Sequence, residues 1–392
     1  MATTTKQQNK VPELRFTEFN DDWQTSILGD LFTFHSGGTP SKSEAKYWGG
    51  KIPWVTAASM RGLYYEDTEH SVTESAIGNG TRMVPAGTLL LLVRGSMLFK
   101  DIPVGIAAVD TTFNQDVKAL IAKKELDNEF YLYWFLHKKP YVMNMVTGTG
   151  IGAGKLDTEE LKSISTPIPT KAEQSKIADF LGSVDAWLDN LRQQKTALET
   201  YKRGMMQKIF TQQVRFKDDE GNDFPEWEVK DLDSLCSIRT GKKDVNQGNP
   251  DGLYPFFTCA KEHTYSDGYS FDCDAILIAG NGEVGHSLRY SGKFEAYQRT
   301  YVLSDFTIDY NYIWTVVNTL FEDYVINQTQ KGAMPYIKLG TLKSFQVPVP
   351  NEQEQQKIAD FLTTIDETIT AKAKEITRVE QWKKGLMQKM FV

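Results

Sequence analysis

Cysteine is scarce in this chain. There are three in 392 residues, Cys236, Cys259 and Cys273, all in the second half and none in CxxC spacing. That excludes a disulfide-stapled scaffold and a zinc ribbon, and the five scattered histidines add no metal-ligand pattern. The expected compartment is a reducing cytoplasm. Long hydrophobic runs are missing too; the run Thr88–Val93 has only the length of a strand, so no membrane span is expected. The opening MATTTKQQNK is polar with no apolar stretch behind it, which reads as a disordered arm over residues 1–12 and not as a signal peptide. Positive charge is short as well. The net charge is −7, with −4 carried by residues 13–165 and −7 by 214–345. A protein that grips DNA alone through a broad basic face is not built this way, so either DNA is not bound or partners supply much of the phosphate contact.

Catalytic constellations are also absent. No Ser/His/Asp or Cys/His set is repeated between the halves. The glycine-rich GTGIGAGKL (Gly148–Leu156) lacks the spacing of a phosphate-binding loop, ends in Leu after its Lys and follows a helical stretch, so it reads as a mobile loop. Glu228-Val-Lys230 has the form of a nuclease tripeptide, but the matching first-half residues are Gln24-Thr25-Ser26. No Asn/Asp-Pro-Pro-Tyr segment of an amino-methyltransferase occurs. The chain reads as a binder.

What is present is a duplication. KIADFL occurs at Lys176–Leu181 and again at Lys357–Leu362, inside a longer match of Ser165–Leu191 with Gln346–Lys372 at a shift of 181. The same shift carries YKRGMMQKIF (Tyr201–Phe210) onto WKKGLMQKMF (Trp382–Phe391). A second match opens each half, pairing Trp23 with Trp227 and Leu28-x-x-Leu31 with Leu232-x-x-Leu235 at a shift of 204. The ends of the two halves agree while the middles diverge.

Periodicity makes the matched segments helices. Ile177, Leu181, Val184, Leu188, Leu191, Leu198, Tyr201, Met205 and Ile209 keep a 3-4 spacing, as do Ile358, Leu362, Ile365, Ile369, Ile376, Val379, Trp382, Leu386 and Met390. Such spacing predicts a coiled-coil seam and not a helix lying on a sheet. Each helix begins after Pro-x-Pro (Pro167/Pro169; Pro348/Pro350), and forty residues make a rod of about 60 Å. Two such helices either brace two domains or, packed antiparallel, form a spacer that fixes their separation. Within the divergent middles, short strands and turns precede helical stretches near Asn128–Val146 and Tyr310–Asn327. The expected fold class is α+β: two globular domains of mixed strands and helices, separated by two long helices in an antiparallel coiled coil, with a pseudo-two-fold internal repeat. The expected boundaries are 13–165 for the first domain, 166–213 for the central helix, 214–345 for the second domain and 346–392 for the C-terminal helix.

This arrangement resembles the specificity subunit of type I restriction–modification enzymes. The resemblance rests on the opening Val11–Phe16, Trp23 with Leu28–Leu31, the Pro-x-Pro/EQ segments, the KIADFL helices and the two K-K/R-G-x-M-Q-K-x-F endings. It implies a non-catalytic targeting subunit whose divergent target recognition domains each read one half of a bipartite asymmetric site in double-stranded DNA. It further implies that the helices set the spacing and dock two methylation subunits, and that restriction/translocase subunits join for cleavage. Adenine methylation and ATP-dependent cleavage would then belong to partners, as would S-adenosylmethionine, ATP and magnesium. A rival class is a coiled-coil scaffold joining two protein-binding domains without DNA contact.

Under the family reading, base contacts are expected from polar residues in loops beside the matched strands. In the first domain these are Thr39, Ser41, Lys42, Ser59, Arg61, Arg94, Ser96, Lys100, Asn114 and Gln115. In the second they are Lys242, Lys243, Lys261, Asn281, Glu283, His286, Tyr297, Gln298 and Arg299. Arg and Lys pair with guanine, Asn and Gln with adenine, and Glu accepts from cytosine. Gln115 and Gln298 occupy matched positions, as do Arg94 and Asn281.

Overall fold

A computed structural model describes residues 11–150, 152–328 and 336–392. Residues 1–10 of the expected arm lie outside the described residues, as do Ile151 of the glycine-rich segment and 329–335. The chain forms two compact units, Met1–Leu191 with Glu375–Val392, and Arg192–Lys374. The division falls within both long helices, so each unit owns part of each.

The first unit holds a five-stranded sheet in the order Phe32–Ser36, Val117–Ala122, Leu89–Leu92, Val104–Ala107 and Tyr64–Tyr65. A four-stranded sheet runs Ser71–Val72, Trp48–Val55, Thr111–Phe113, Arg82–Val84. Helix α1 (Asn128–Met143) starts at Asp127, whose carboxylate accepts from the backbone N of Glu129 and Phe130 (both 3.1 Å). It buries Phe130, Tyr131, Tyr133 and Trp134 completely. The glycine-rich segment is a correction: Thr147–Gly148 and Gly154–Lys155 pair as a hairpin, which adds to Arg94–Gly95.

Helix α2 spans Lys171–Phe210. Thr170 Oγ1 accepts from Glu173 N (3.3 Å) directly after the Pro-x-Pro, which is why the helix begins there. The second unit has one six-stranded sheet, ordered Ser237–Thr240, Thr300–Ser304, Phe271–Ala279, Ser287–Ala296, Tyr254–Phe257 and Thr264–Ser266. Helix α3 (Tyr310–Val316) is capped by Asp309 and continues through a π-turn at Val317–Phe321 to Gln328. Helix α4 (Glu352–Met390) starts at Asn351, whose Oδ1 accepts from Glu354 N (2.9 Å).

The long helices run antiparallel and repeat their contacts at the 181-residue shift. Lys383 donates to Asp185 in the first unit, and Lys202 donates to Asp366 (2.7 Å) in the second. Phe180 meets Trp382 at 6.3 Å between ring centroids, and Phe361 meets Tyr201 at 6.5 Å. Most expected seam positions are buried, but Tyr201 and Trp382 are exposed, and Leu198, Met205, Ile369 and Ile376 are only half-buried. The expectation of a seam separate from any sheet needs correction. Ile177, Leu181, Val184, Leu188 and Leu191 share one buried cluster with Trp23, Phe130 and Tyr133 of their domain, as well as with Val379, Leu386 and Met390. Ile358, Leu362 and Ile365 do the same with Trp227, Tyr312 and Ile313. Each rod segment is therefore also a wall of a domain core, because a lone two-helix seam leaves the domain's aromatic face uncovered.

Candidate nucleic-acid interface

In the first unit four loops meet at one place. Gly38 N donates to Phe113 O (2.9 Å), Asn114 N to Val55 O (3.0 Å) and Val93 N to Asp116 O (2.8 Å). The segments following Ser36, Val55 and Leu92 are thus tied to the turn Asn114–Asp116. Gly37 makes the approach possible, since a Cβ there would lie 2.0 Å from the Phe113 carbonyl oxygen. The second unit repeats the junction. Gln298 N donates to Lys243 O (3.0 Å), Tyr297 N to Phe257 O (2.9 Å), Glu283 N to Cys259 O (3.4 Å) and Gly280 N to Arg299 O (3.0 Å). Gly241 takes the place of Gly37, with a Cβ falling 1.7 Å from the Ala296 oxygen.

Of the side chains singled out in the sequence, Asn114, Lys243, Glu283, Tyr297, Gln298 and Arg299 make these junction bonds through their backbones. Thr39 Oγ1 donates to Gln115 Oε1 (2.7 Å), and at the matched place Gln298 Nε2 donates to Asp244 Oδ2 (3.0 Å). Both glutamines are exposed, each steadied by one bond and retaining further donor or acceptor capacity. Ser41, Lys42, Arg61, Arg94, Ser96 and Lys100 are exposed in the first unit, as are Lys242, Lys261, Glu283 and Arg299 in the second. Asn281, His286 and Tyr297 are half-buried, and Asn281 forms a backbone bridge with Tyr336.

Three candidates are engaged inside the fold. Ser59 Oγ accepts from Thr56 N (2.9 Å) and donates to Thr56 O (3.1 Å), closing a cap. Asn114 is buried and accepts from Asp116 N (3.0 Å) in its own turn. Lys243 Nζ donates to Ser266 Oγ (2.7 Å) and lies 3.4 Å from the buried carboxylate of Glu295. The structure adds one cation that the sequence reading passed over: Lys155 stands opposite Arg94 across the hairpin, and both are exposed.

A second set of residues mounts each domain on the long helices. Arg15 donates from Nε and Nη2 to Glu173 (2.7 and 2.9 Å), and Arg215 does so to Glu354 (3.2 and 2.8 Å). The two glutamate side chains are 1% and 0% exposed, and these hydrogen bonds raise both guanidinium pKa values. Trp227 Nε1 also donates to Glu354 (2.8 Å). The next residue along binds each domain helix. Gln174 accepts from Asp127 N (2.9 Å) and donates to Pro169 O (2.9 Å), while Gln355 accepts from Asp309 N (3.1 Å) and donates to Pro350 O (2.8 Å). The recurring Glu-Gln pair and the recurring Arg-Phe pair were the available signals for this mounting. Among the described residues no cluster of His, Cys, Asp and Glu is arranged to hold a metal ion, and no helix is long and apolar enough to cross a membrane.

Comparison with known proteins identifies the family. A family model for the type I restriction modification DNA specificity domain matches residues 20–200 and again 225–381. Two type I restriction enzyme specificity subunits of Escherichia coli are 29% identical over 180 residues and 33% over 164, the latter being the EcoDI subunit. Those alignments take in 45% and 42% of this chain but only 44% and 36% of the two proteins. The MjaIX specificity subunit of Methanocaldococcus jannaschii is 24% identical over 408 residues, covering 94% of this chain and 92% of its own length. Among solved structures, the type I S subunit from M. genitalium shares the fold with a TM-score of 0.62 at 18% identity, over 97% of this chain and 99% of that one. A chain from a structure of type I restriction–modification complex assembly and conformational transition gives 0.60 at 14%, over 94% and 97%. The chain belongs to the type I restriction–modification DNA specificity family.

Proposed function

We propose that each loop junction reads one half of a bipartite, asymmetric site in double-stranded DNA, the family membership being its premise. The observation that carries this reading is the same four-loop junction built twice, with different side chains mounted on it. Gln115 with Thr39, Arg94 and Lys42 face one half-site, and Gln298 with Arg299, Lys242 and Glu283 face the other. Exposed Arg and Lys suit guanine, and Gln suits adenine. In this reading the length of the unread spacer is set through the long helices. The acidic balance fits a chain that reads base edges while two methylation subunits grip phosphates. Those subunits would bring S-adenosylmethionine and adenine methylation, and restriction/translocase subunits would bring ATP, magnesium and cleavage, in the cytoplasm.

The test is co-expression with a methylation subunit followed by methylome sequencing. A split motif methylated on both strands is the expected outcome; an assembled complex that methylates no split motif would sink the reading. Exchanging residues 13–165 for another such domain should change one half-site and leave the other intact.

A further inference from the structure

The two units differ at one matched place, closed in the first and open in the second. In the first, Tyr133 on α1 donates its hydroxyl to Asp185 Oδ2 (2.8 Å), and Lys383 Nζ lies 5.2 Å over its ring. The tyrosine is fully buried, with its oxygen 3.8 Å from where a Cβ on Gly182 would sit. Asp185 keeps 19% of its side chain exposed.

The caps Asp127 and Asp309, each bound by its own glutamine, bring α1 and α3 into correspondence, so Tyr133 answers to Thr315. The 181-residue shift takes Gly182 and Asp185 to Thr363 and Asp366. These three second-unit residues line a cavity of about 390 Å³ together with Arg289, Trp314 and Lys374. Thr315 turns its hydroxyl to its own helix, donating to Asn311 O (2.8 Å). Asp366, bound by Lys202, is 51% exposed. Arg289 is held by Asn311 Oδ1 (3.0 Å) with its guanidinium 5.9 Å from the Trp314 ring centroid.

We propose that this cavity docks a tyrosine side chain presented by a protein partner, with Asp366 accepting the hydroxyl as Asp185 accepts that of Tyr133. The wall supplies what a phenol needs: an indole and a guanidinium for the ring, and a carboxylate for the hydroxyl. Tyrosine is the side chain the chain itself uses to close the same place in the other unit, and it is enriched at protein interfaces. Neither the cavity nor the matched tyrosine depends on the DNA reading.

The test titrates N-acetyltyrosinamide into the full chain while following the Trp314 indole signal by NMR, assigned through its loss in Trp314→Phe. A saturable shift is expected, about tenfold weaker with N-acetylphenylalaninamide and about tenfold weaker in Asp366→Asn. Thr315→Tyr, which fills the cavity from within, should abolish it. Should that variant fail to fold, Asp366→Asn and the phenylalanine amide still decide. No saturable shift in the unaltered chain, or equal binding of both amides and of Asp366→Asn, overturns the proposal.

Discussion

Glu354 is the side chain whose loss the second unit should feel most. Replacing it with alanine leaves the Arg215 guanidinium without its bidentate partner and Trp227 Nε1 without an acceptor. Breaking a buried pair this way costs about 3–5 kcal/mol. Thermal denaturation of Glu354→Ala should show a drop of many degrees in the transition of that unit, against little change for the exposed Glu226→Ala; equal melting of the two would refute the role given to Glu354. Asp127 ties the stability of the first unit to pH. Burial alone would raise its pKa, but donors from Lys171, Ser175 and Phe130 N and the Lys171 charge together outweigh burial and lower it. A depressed carboxylate contributes stability that is full above its unfolded value of about 4 and disappears as pH falls through the folded value. Asp127→Asn, which keeps a capping oxygen but loses the charge that Lys171 and the donors favour, should therefore lower stability at neutral pH. Its melting should converge on that of the unaltered chain below about pH 4, and a gap that persists in acid would contradict this.

At the scale of elements, the long helices carry both what was legible and what was not. The 3-4 spacing and the Pro-x-Pro preceding each helix were readable because they are local, and both helices stand where those signals put them. The strand orders were not readable, since the parallel pairing of Thr112 with Trp54 joins segments far apart in sequence. Neither was the double duty of Ile177 to Leu191, because periodicity shows that a face is buried but not what covers it. The candidate site was legible as loops and matched positions. That Ser59, Asn114 and Lys243 serve the fold was hidden, because their partners Thr56, Asp116, Ser266 and Glu295 look like any other polar residues. Seven residues of helical sequence inserted between Gln194 and Thr200 should lengthen the unread spacer of the methylated motif and leave both half-sites as they were. Altered half-sites in the methylome would count against a ruler.

For the molecule as a whole, each unit fastens the start of its domain to the end of a long helix in the same way, and in only one of them is the chain continuous there. In the second unit Val214 N donates to Lys208 O (3.1 Å) across a short turn. In the first unit Leu14 N donates to Lys389 O (2.9 Å), and Lys389 pairs with Glu13 (2.8 Å), across a gap in the chain. A permuted chain that joins residue 392 to residue 11 and opens between 211 and 214 should keep its circular dichroism spectrum and its methylation motif. Loss of secondary structure in that variant would show that the turn at 211–214 contributes more than connection.

The division of the chain also sets an order of manufacture. Arg192–Lys374 contains everything the second unit is built from, whereas the first unit lacks Val379, Leu386 and Met390 until the final segment is made. At about 5–20 residues per second, residues 1–191 wait roughly ten to forty seconds for that segment. The half synthesised first is therefore completed last, when Val379, Leu386 and Met390 join the buried cluster that already holds Val184 and Leu188.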